Sequence, residues 1–384
     1  MVETTETLLS RAAAVGDPGA QFELAMAMAA SGQDRDALTW MTRAAVSGLP
    51  LADAHLGLWQ VMGRIAERNS QEGLRRIERA AGAGNDIASL LLAGLHAMGT
   101  HAPQDWDQAA DWLIASARLG NVRALTQLSL LLPESFADRE LFGAHAAAAG
   151  YPPAVKIFRE TRPTTSPDFD RARLALDLRA LAAAPKDEAL LESPRLRIAR
   201  RLLPLSWCYY ICALAEPTLE PSDVHNATLG RTVLGVRTSH HMAFGPANSD
   251  PLLAILAHRT AAWTGTDIAW AEDTNVLRYK PGQEYQRHVD FFDPQIPTIW
   301  AEAERAGQRT VTVLIWLNDE YQGGETEFPL ARQSIRGAAG DALAFWNTMD
   351  DGSPDRSTVH AGRPVLRGEK WLITQWIRDR PQKI

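Results

Sequence analysis

The feature that most constrains this chain is a short pattern recurring through its first 150 residues: an alanine, a glycine three positions on, and another alanine four positions later. It occurs at Ala13-Gly16-Ala20, Ala45-Gly48-Ala52, Ala81-Gly84-Ala88, Ala117-Gly120-Ala124 and Ala147-Gly150-Ala154. The glycines are 32, 36, 36 and 30 residues apart. A fixed period of this length is the mark of a repeat architecture. Between the glycines, segments such as AQFELAMAMAA, DALTWMTRAAV and DQAADWLIASA carry apolar residues at helical spacing. The spacing predicts helical hairpins. Glycine at a helix end supplies the left-handed turn, and alanine lets neighbouring helices approach closely. Stacked hairpins make a solenoid with a concave face. That face is a peptide- or protein-binding surface, or the array is a scaffold that orients or dimerises another domain.

Composition narrows the function classes. The 384 residues suffice for two or three domains. A net charge of −7 and a pI near 5.8 offer no basic stripe for nucleic acid. No apolar run reaches the ~18 residues that a membrane span needs. The opening MVETTETLLSRAAAVGD has early acidic residues and no apolar core, unlike a secretory signal. The only cysteines, Cys208 and Cys212, lie in the helical-looking stretch WCYYICALAE. They read as two small buried residues on one helix face, not as a disulfide framework, and a reducing cytoplasmic setting fits.

The Pro- and Thr-rich stretch TRPTTSPDF marks a break after the array. The expected organisation is a helical repeat domain over 1–165, a linker or bridging helix over 166–192 that caps the array or joins the domains, and a second domain over 193–384. Strand character dominates the last of these. RTVTVLIWLND is a β-branched run of a buried core strand, and turns at Gly323-Gly324 and Gly340-Asp341 lead into further strands, which indicates an antiparallel barrel or sandwich. Within it, His288 and Asp290 are two apart, so on a strand both point to one face. His-x-Asp alone does not establish a metal site. Joined by His360 from a later strand, it forms a two-histidine, one-carboxylate set that leaves coordination positions open, as suits an iron(II) oxygenase. Lys370, ten residues beyond His360, is placed to meet the far end of a metal-bound dicarboxylate.

Residues 195–380 resemble the prolyl 4-hydroxylase family of iron(II)- and 2-oxoglutarate-dependent oxygenases. The likeness rests on LAEPTLEPSDV, VRTS, VLRYKPGQEYQRHVDFF, TVLIWLND, GGETEF, GDALAFWN and VHAGRPVLRGEKWLITQWI, in that order. The array, over about residues 5–160, resembles Sel1-like repeats, relatives of tetratricopeptide repeats, with Trp40 and Trp112 in the tryptophan place. Together these imply an α+β multidomain protein: an α-helical repeat solenoid followed by a double-stranded β-helix (jelly-roll) oxygenase domain.

The resemblance implies iron(II) held by His288, Asp290 and His360, with 2-oxoglutarate and O2 as co-substrates and ascorbate as reductant. Lys370 would pair with the distal carboxylate of 2-oxoglutarate. Tyr279 and Thr312 would hydrogen-bond the co-substrate, and Trp376 would stand on the active-site wall. Core packing is the alternative for Thr312 and Trp376. The expected reaction couples oxidative decarboxylation of 2-oxoglutarate, giving succinate and CO2, to hydroxylation of a prolyl residue in a protein or peptide recruited by the repeats. Asp290 favours hydroxylation, because related halogenases lack this carboxylate. Two alternatives remain: hydroxylation of a free amino acid or other small molecule, and a repeat adaptor with a vestigial oxygenase domain. Glu325 and Glu327, beside the Gly-Gly turn, read as structural or substrate-side. The Gly- and Pro-containing stretches 226–250 and 293–308 read as mobile loops able to close over a chain.

Overall fold

The recurring glycines occupy the positions their spacing predicts. In the computed structural model, which describes residues 12–158, 163–222, 224–226, 231–233, 237–245, 248 and 250–382, all five have positive φ, between 80° and 97°. By compactness the chain divides into two units: Met1–Tyr151 with Thr161–Arg179 and Pro246–Ile255, and Pro152–Glu160 with Ala180–Gly245 and Leu256–Ile384.

The first unit is built from antiparallel helix pairs: α1 (Pro18–Ala30) with α2 (Asp34–Val46), α3 (Pro50–Met62) with α4 (Ser70–Gly82), α5 (Asp86–Met98) with α6 (Trp106–Arg118), and α7 (Val122–Leu131) with α8 (Arg139–Ala148). Gly48, Gly84, Gly120 and Gly150 each follow the second helix of a pair, where an L side chain at positive φ would be strained. The alanine four residues beyond each of these four glycines is fully buried inside the next helix. Asn85, Asp105 and Asn121 cap their helices by accepting from backbone N–H groups of the first turn. The tightest crossing uses glycine: a Cβ on Gly57 of α3 would lie 2.5 Å from the Gly73 carbonyl oxygen of α4. Trp40 and Trp112 are partly buried against the apolar clusters between helices. The short helix Phe169–Ala175 belongs to this unit, with Arg173 paired to Asp107 and Asp111 of α6.

The second unit holds sixteen strands, all paired antiparallel, among the described residues. The larger sheet has the order β1 (Glu188–Leu191), β2 (Leu196–Ala199), β13 (Ala342–Trp346), β9 (Arg309–Trp316), β16 (Lys370–Arg378), β7 (Thr274–Tyr279), β6 (His240–Phe244), β3 (Glu220–Pro221). A four-stranded sheet has the order β12 (Gln333–Ile335), β11 (Thr326–Phe328), β14 (His360–Gly362), β8 (Tyr285–His288). Two short pairs complete the set: β10 (Gln322–Gly323) with β15 (Val365–Arg367), and β4 (Val224–Asn226) with β5 (Arg231–Val233). The core between the two larger sheets is Leu196, Leu277, Leu314, Trp316, Phe328, Leu343, Phe345 and Leu372. β9 at the centre is buried from Val311 to Trp316, as a continuous β-branched run requires.

Two expectations change. Stretch 293–308 is not a mobile loop: Pro297–Ala306 is a helix, begun by proline at its first turn and anchored by buried Ala303. Stretch 226–250 is described only in part, and there β5 (Arg231–Val233) and β6 (His240–Phe244) are paired strands. Cys208 is buried and Cys212 half-buried on the helix Leu205–Ala215, both as free thiols. Burial pushes the Cys208 thiol up to about 12, so it stays protonated and unreactive. Among the described residues no helix is long and apolar enough to cross a membrane.

Candidate metal centre

His288 closes β8 and His360 opens β14, and the two are direct partners across that antiparallel pair. Register brings together residues 72 apart in sequence, with ring centroids 4.2 Å apart. Asp290 is not on the strand as its spacing suggested. It lies in a bend just past β8, and the turn of the chain still carries its carboxylate to 3.6 Å from His288 Nε2 and 3.7 Å from His360 Nε2. One ligand atom from each of the three residues lies within 4.8 Å of the others, the only such cluster among the described residues.

The surroundings suit a divalent ion. Each histidine points its Nδ1 at a backbone carbonyl, of Gln286 at 2.7 Å and of Thr358 at 2.9 Å, which fixes the ring and turns Nε2 toward Asp290. Phe328 and Phe345 pack on the His360 ring, at 5.5 and 4.8 Å between centroids. Burial, helped by the neighbouring His360, pushes His288 down to about 3, so it is a neutral imidazole at physiological pH. Burial works against the Asp290 carboxylate. The imidazoles of His360 and His288, the Arg309 guanidinium and the Thr312 hydroxyl outweigh it and hold Asp290 below its ordinary range. Two imidazole nitrogens and one carboxylate oxygen, pre-aimed at one point, form the donor set that non-haem iron(II) enzymes use.

A cavity opens beside these residues, lined also by Tyr279, Tyr285, Lys370, Trp376 and Arg237. On β16 the inward parity brings Lys370, Leu372, Thr374 and Trp376 to its wall. Lys370 is 3% exposed and donates to the Gly324 carbonyl at 2.7 Å, with its Nζ 5.6 Å from the Tyr279 ring centre. Burial lowers its pKa to about 8, Glu325 opposing and Arg336 assisting. Burial raises the Tyr279 phenol, so it remains a hydrogen-bond donor, although Arg237 and a hydrogen bond with Ser239 act the other way.

Of the residues singled out from sequence, Tyr279, His288, Asp290, His360, Lys370 and Trp376 all line this one cavity. Thr312 stands behind it, its hydroxyl donating to Asp290 Oδ2 at 2.7 Å. Glu325 and Glu327 do not form a pair on the cavity; Glu327 reaches toward Arg363 at 3.6 Å. Sequence reading missed Arg237 and Tyr285. Tyr285 is an odd number of residues from His288, so strict alternation puts it on the opposite face. A register shift in the β8–β14 pair cancels that parity, and the Tyr285 ring stacks on His288 with centroids 3.5 Å apart. Arg237 lies in the VRTS stretch, 5.5 Å from the centre of the Tyr285 ring, and nothing in its spacing pointed to the cavity.

Comparison with known proteins agrees with this geometry. Residues 274–378 match the model of the 2OG-Fe(II) oxygenase superfamily. Prolyl 4-hydroxylase 1 of Arabidopsis thaliana is 34% identical over 210 residues, covering 51% of this chain and 72% of that protein. The viral collagen prolyl hydroxylase of Paramecium Bursaria Chlorella virus-1, solved with 2OG, is 27% identical with a TM-score of 0.38, covering 48% of this chain and 95% of that one. A Sel1 repeat protein from Oxalobacter formigenes aligns at 20% identity and a TM-score of 0.33, over 44% of this chain and 77% of that one. The chain belongs to the prolyl 4-hydroxylase family of iron(II)- and 2-oxoglutarate-dependent oxygenases.

Proposed function

We propose that this protein hydroxylates prolyl residues of a polypeptide, with iron(II) held by His288, Asp290 and His360. Iron, when bound, supplies the chemistry that couples oxidative decarboxylation of 2-oxoglutarate to insertion of oxygen into a substrate C–H bond. The residues do the rest. The histidines and Asp290 present three donors on one side and leave the cavity side open. Lys370, cationic below its pKa, takes the distal carboxylate of 2-oxoglutarate, and the Tyr279 phenol donates to the same molecule. Ascorbate serves as the reductant that keeps the metal ferrous.

The observation that carries the polypeptide reading is a pair of unused donors. Trp376 Nε1 and Arg237 Nε are buried beside the cavity, and neither has a hydrogen-bond partner. A peptide brings carbonyl oxygens to such donors. A free amino acid meets them with its carboxylate, and the peptide arm of the test below separates the two. The helical unit would recruit the target chain, since its stacked hairpins offer an extended surface. Two free thiols, Cys208 buried and Cys212 half-buried, suit a reducing cytoplasm.

The test is 2-oxoglutarate turnover to succinate with iron(II) and ascorbate, for wild type and His288→Ala, with and without a pool of proline-rich peptides. The expected result is turnover that needs His288 and rises with peptides, together with a one-oxygen mass gain on proline. Turnover that ignores peptides but rises with free amino acids would move the substrate to small molecules. No turnover and no bound iron would favour the adaptor reading.

A further inference from the structure

Behind the metal centre runs a short chain of buried hydrogen bonds. Thr312 Oγ1 donates to Asp290 Oδ2 at 2.7 Å, and Asn347 Nδ2 donates to Thr312 Oγ1 at 2.9 Å. Thr312, on β9, and Asn347, just past β13, are both fully buried. Across the sheet Thr312 is flanked by Phe345 and Trp376, both buried, with buried Leu314 two residues along its own strand. Asn347 is pinned on its backbone too: its N–H donates to the Thr310 carbonyl and its carbonyl accepts from the Asp355 N–H, each at 2.8 Å.

The direction of this chain follows from its end. An ionised carboxylate only accepts, so the single hydroxyl proton of Thr312 goes to Asp290. With that proton committed, the hydroxyl has only lone pairs left for Asn347, which must therefore present its amide nitrogen. Asn347 Oδ1 is left buried without a partner. An apolar core that needed only volume there would take valine and leucine and avoid the desolvated amide. A polar pair kept in such a place points to a demand on Asp290.

We propose that Thr312 and Asn347 are positioning residues that hold Asp290 in a one-oxygen mode of metal coordination. Oδ2 is tied to the threonine hydroxyl, so the carboxylate cannot swing to offer both oxygens equally. A carboxylate gripping with both would consume a position that the co-substrate needs. Thr312 thus acts on the metal through Asp290 and not on 2-oxoglutarate. This inference rests on the reading of His288, Asp290 and His360 as the metal ligands.

The test is titration of the full-length protein with Co(II) alone, followed by its visible absorption bands, which report coordination geometry. Thr312→Val should weaken Co(II) binding about tenfold or more and shift the bands, as loss of a hydrogen bond behind a ligand does. Thr312→Ser keeps the hydroxyl and should restore both. Asn347→Asp has the same shape and, once ionised at high pH, no donor. It competes for the threonine proton and should reproduce the Thr312→Val spectrum, and it decides the matter should Thr312→Val fail to fold. His288→Ala separates the two layers of argument. If it binds Co(II) as wild type does, the ligand assignment falls. If it loses Co(II) while Thr312→Val and Asn347→Asp keep wild-type affinity and bands, the positioning role falls and the ligands stand.

Discussion

The helical unit and the sheet unit solve the folding problem in opposite ways. In the helical unit each hairpin packs against its sequence neighbours, so one rule repeated at each period suffices: glycine to turn, alanine to pack. Its residues are individually replaceable in kind, and nothing in them converges on a single point. In the sheet unit the decisive contacts are between residues far apart in the chain. His288 meets His360 through strand register, and Thr312 reaches back to Asp290. A repeat tolerates approximate residues because its energy is spread over many similar interfaces. A metal centre does not, because each ligand is needed at one place.

The sharpest tests of that contrast begin at the ligands. His288→Ala or Asp290→Ala should abolish iron-dependent succinate formation and Co(II) binding alike. Appreciable turnover by either variant would show that the centre lies elsewhere. Next is Lys370→Met, which keeps length and removes charge. The Michaelis constant for 2-oxoglutarate should rise on the order of 10- to 100-fold, the worth of a hydrogen bond to a charged group, with little change for the peptide. Equal changes in both would assign Lys370 to general packing.

A smaller effect follows from the same lysine in the wild type. With burial holding its pKa near 8, Nζ is charged below that pH and increasingly neutral above it. A bound carboxylate favours the charged form and moves the titration upward. Apparent affinity for 2-oxoglutarate should therefore fall as pH rises through the free protein's value, and flat affinity to pH 10 would contradict the pairing.

In the helical unit, Gly57→Ala forces a Cβ onto the Gly73 carbonyl and should cost about 1–3 kcal/mol of stability, read by thermal unfolding. Asp105→Ala, which removes a cap, should cost about 1 kcal/mol. Both should spare peptide-independent 2-oxoglutarate turnover. If either variant abolished it at temperatures well below unfolding, the picture of a distributed array beside a concentrated site would be wrong.

Much of both units was legible in sequence, for reasons tied to particular residues. Gly16 to Gly150 announced the hairpin period because positive φ at a helix end singles out glycine. Val311 to Trp316 announced a core strand because a β-branched run, apolar but for Thr312, suits a strand buried on both faces. The helix Pro297–Ala306 went unread, since its proline suggested a loop when it in fact starts the helix. Tyr285 went unread because a register shift is invisible in the spacing of a single strand. Arg237 and Asn347 went unread because neither lies at a telling distance from a ligand.

Sequence by itself determined the local periods, the element types they dictate and the identities of the groups able to bind metal, because these depend on neighbours a few residues away. Only the tertiary structure decided what each group touches. It turned Asp290 off the end of its strand toward both histidines. It also put Thr312 behind that carboxylate and brought Tyr285 onto the His288 ring. Those contacts are set by register and by bends between distant strands, and a one-residue shift in either would send the same side chains to the other face.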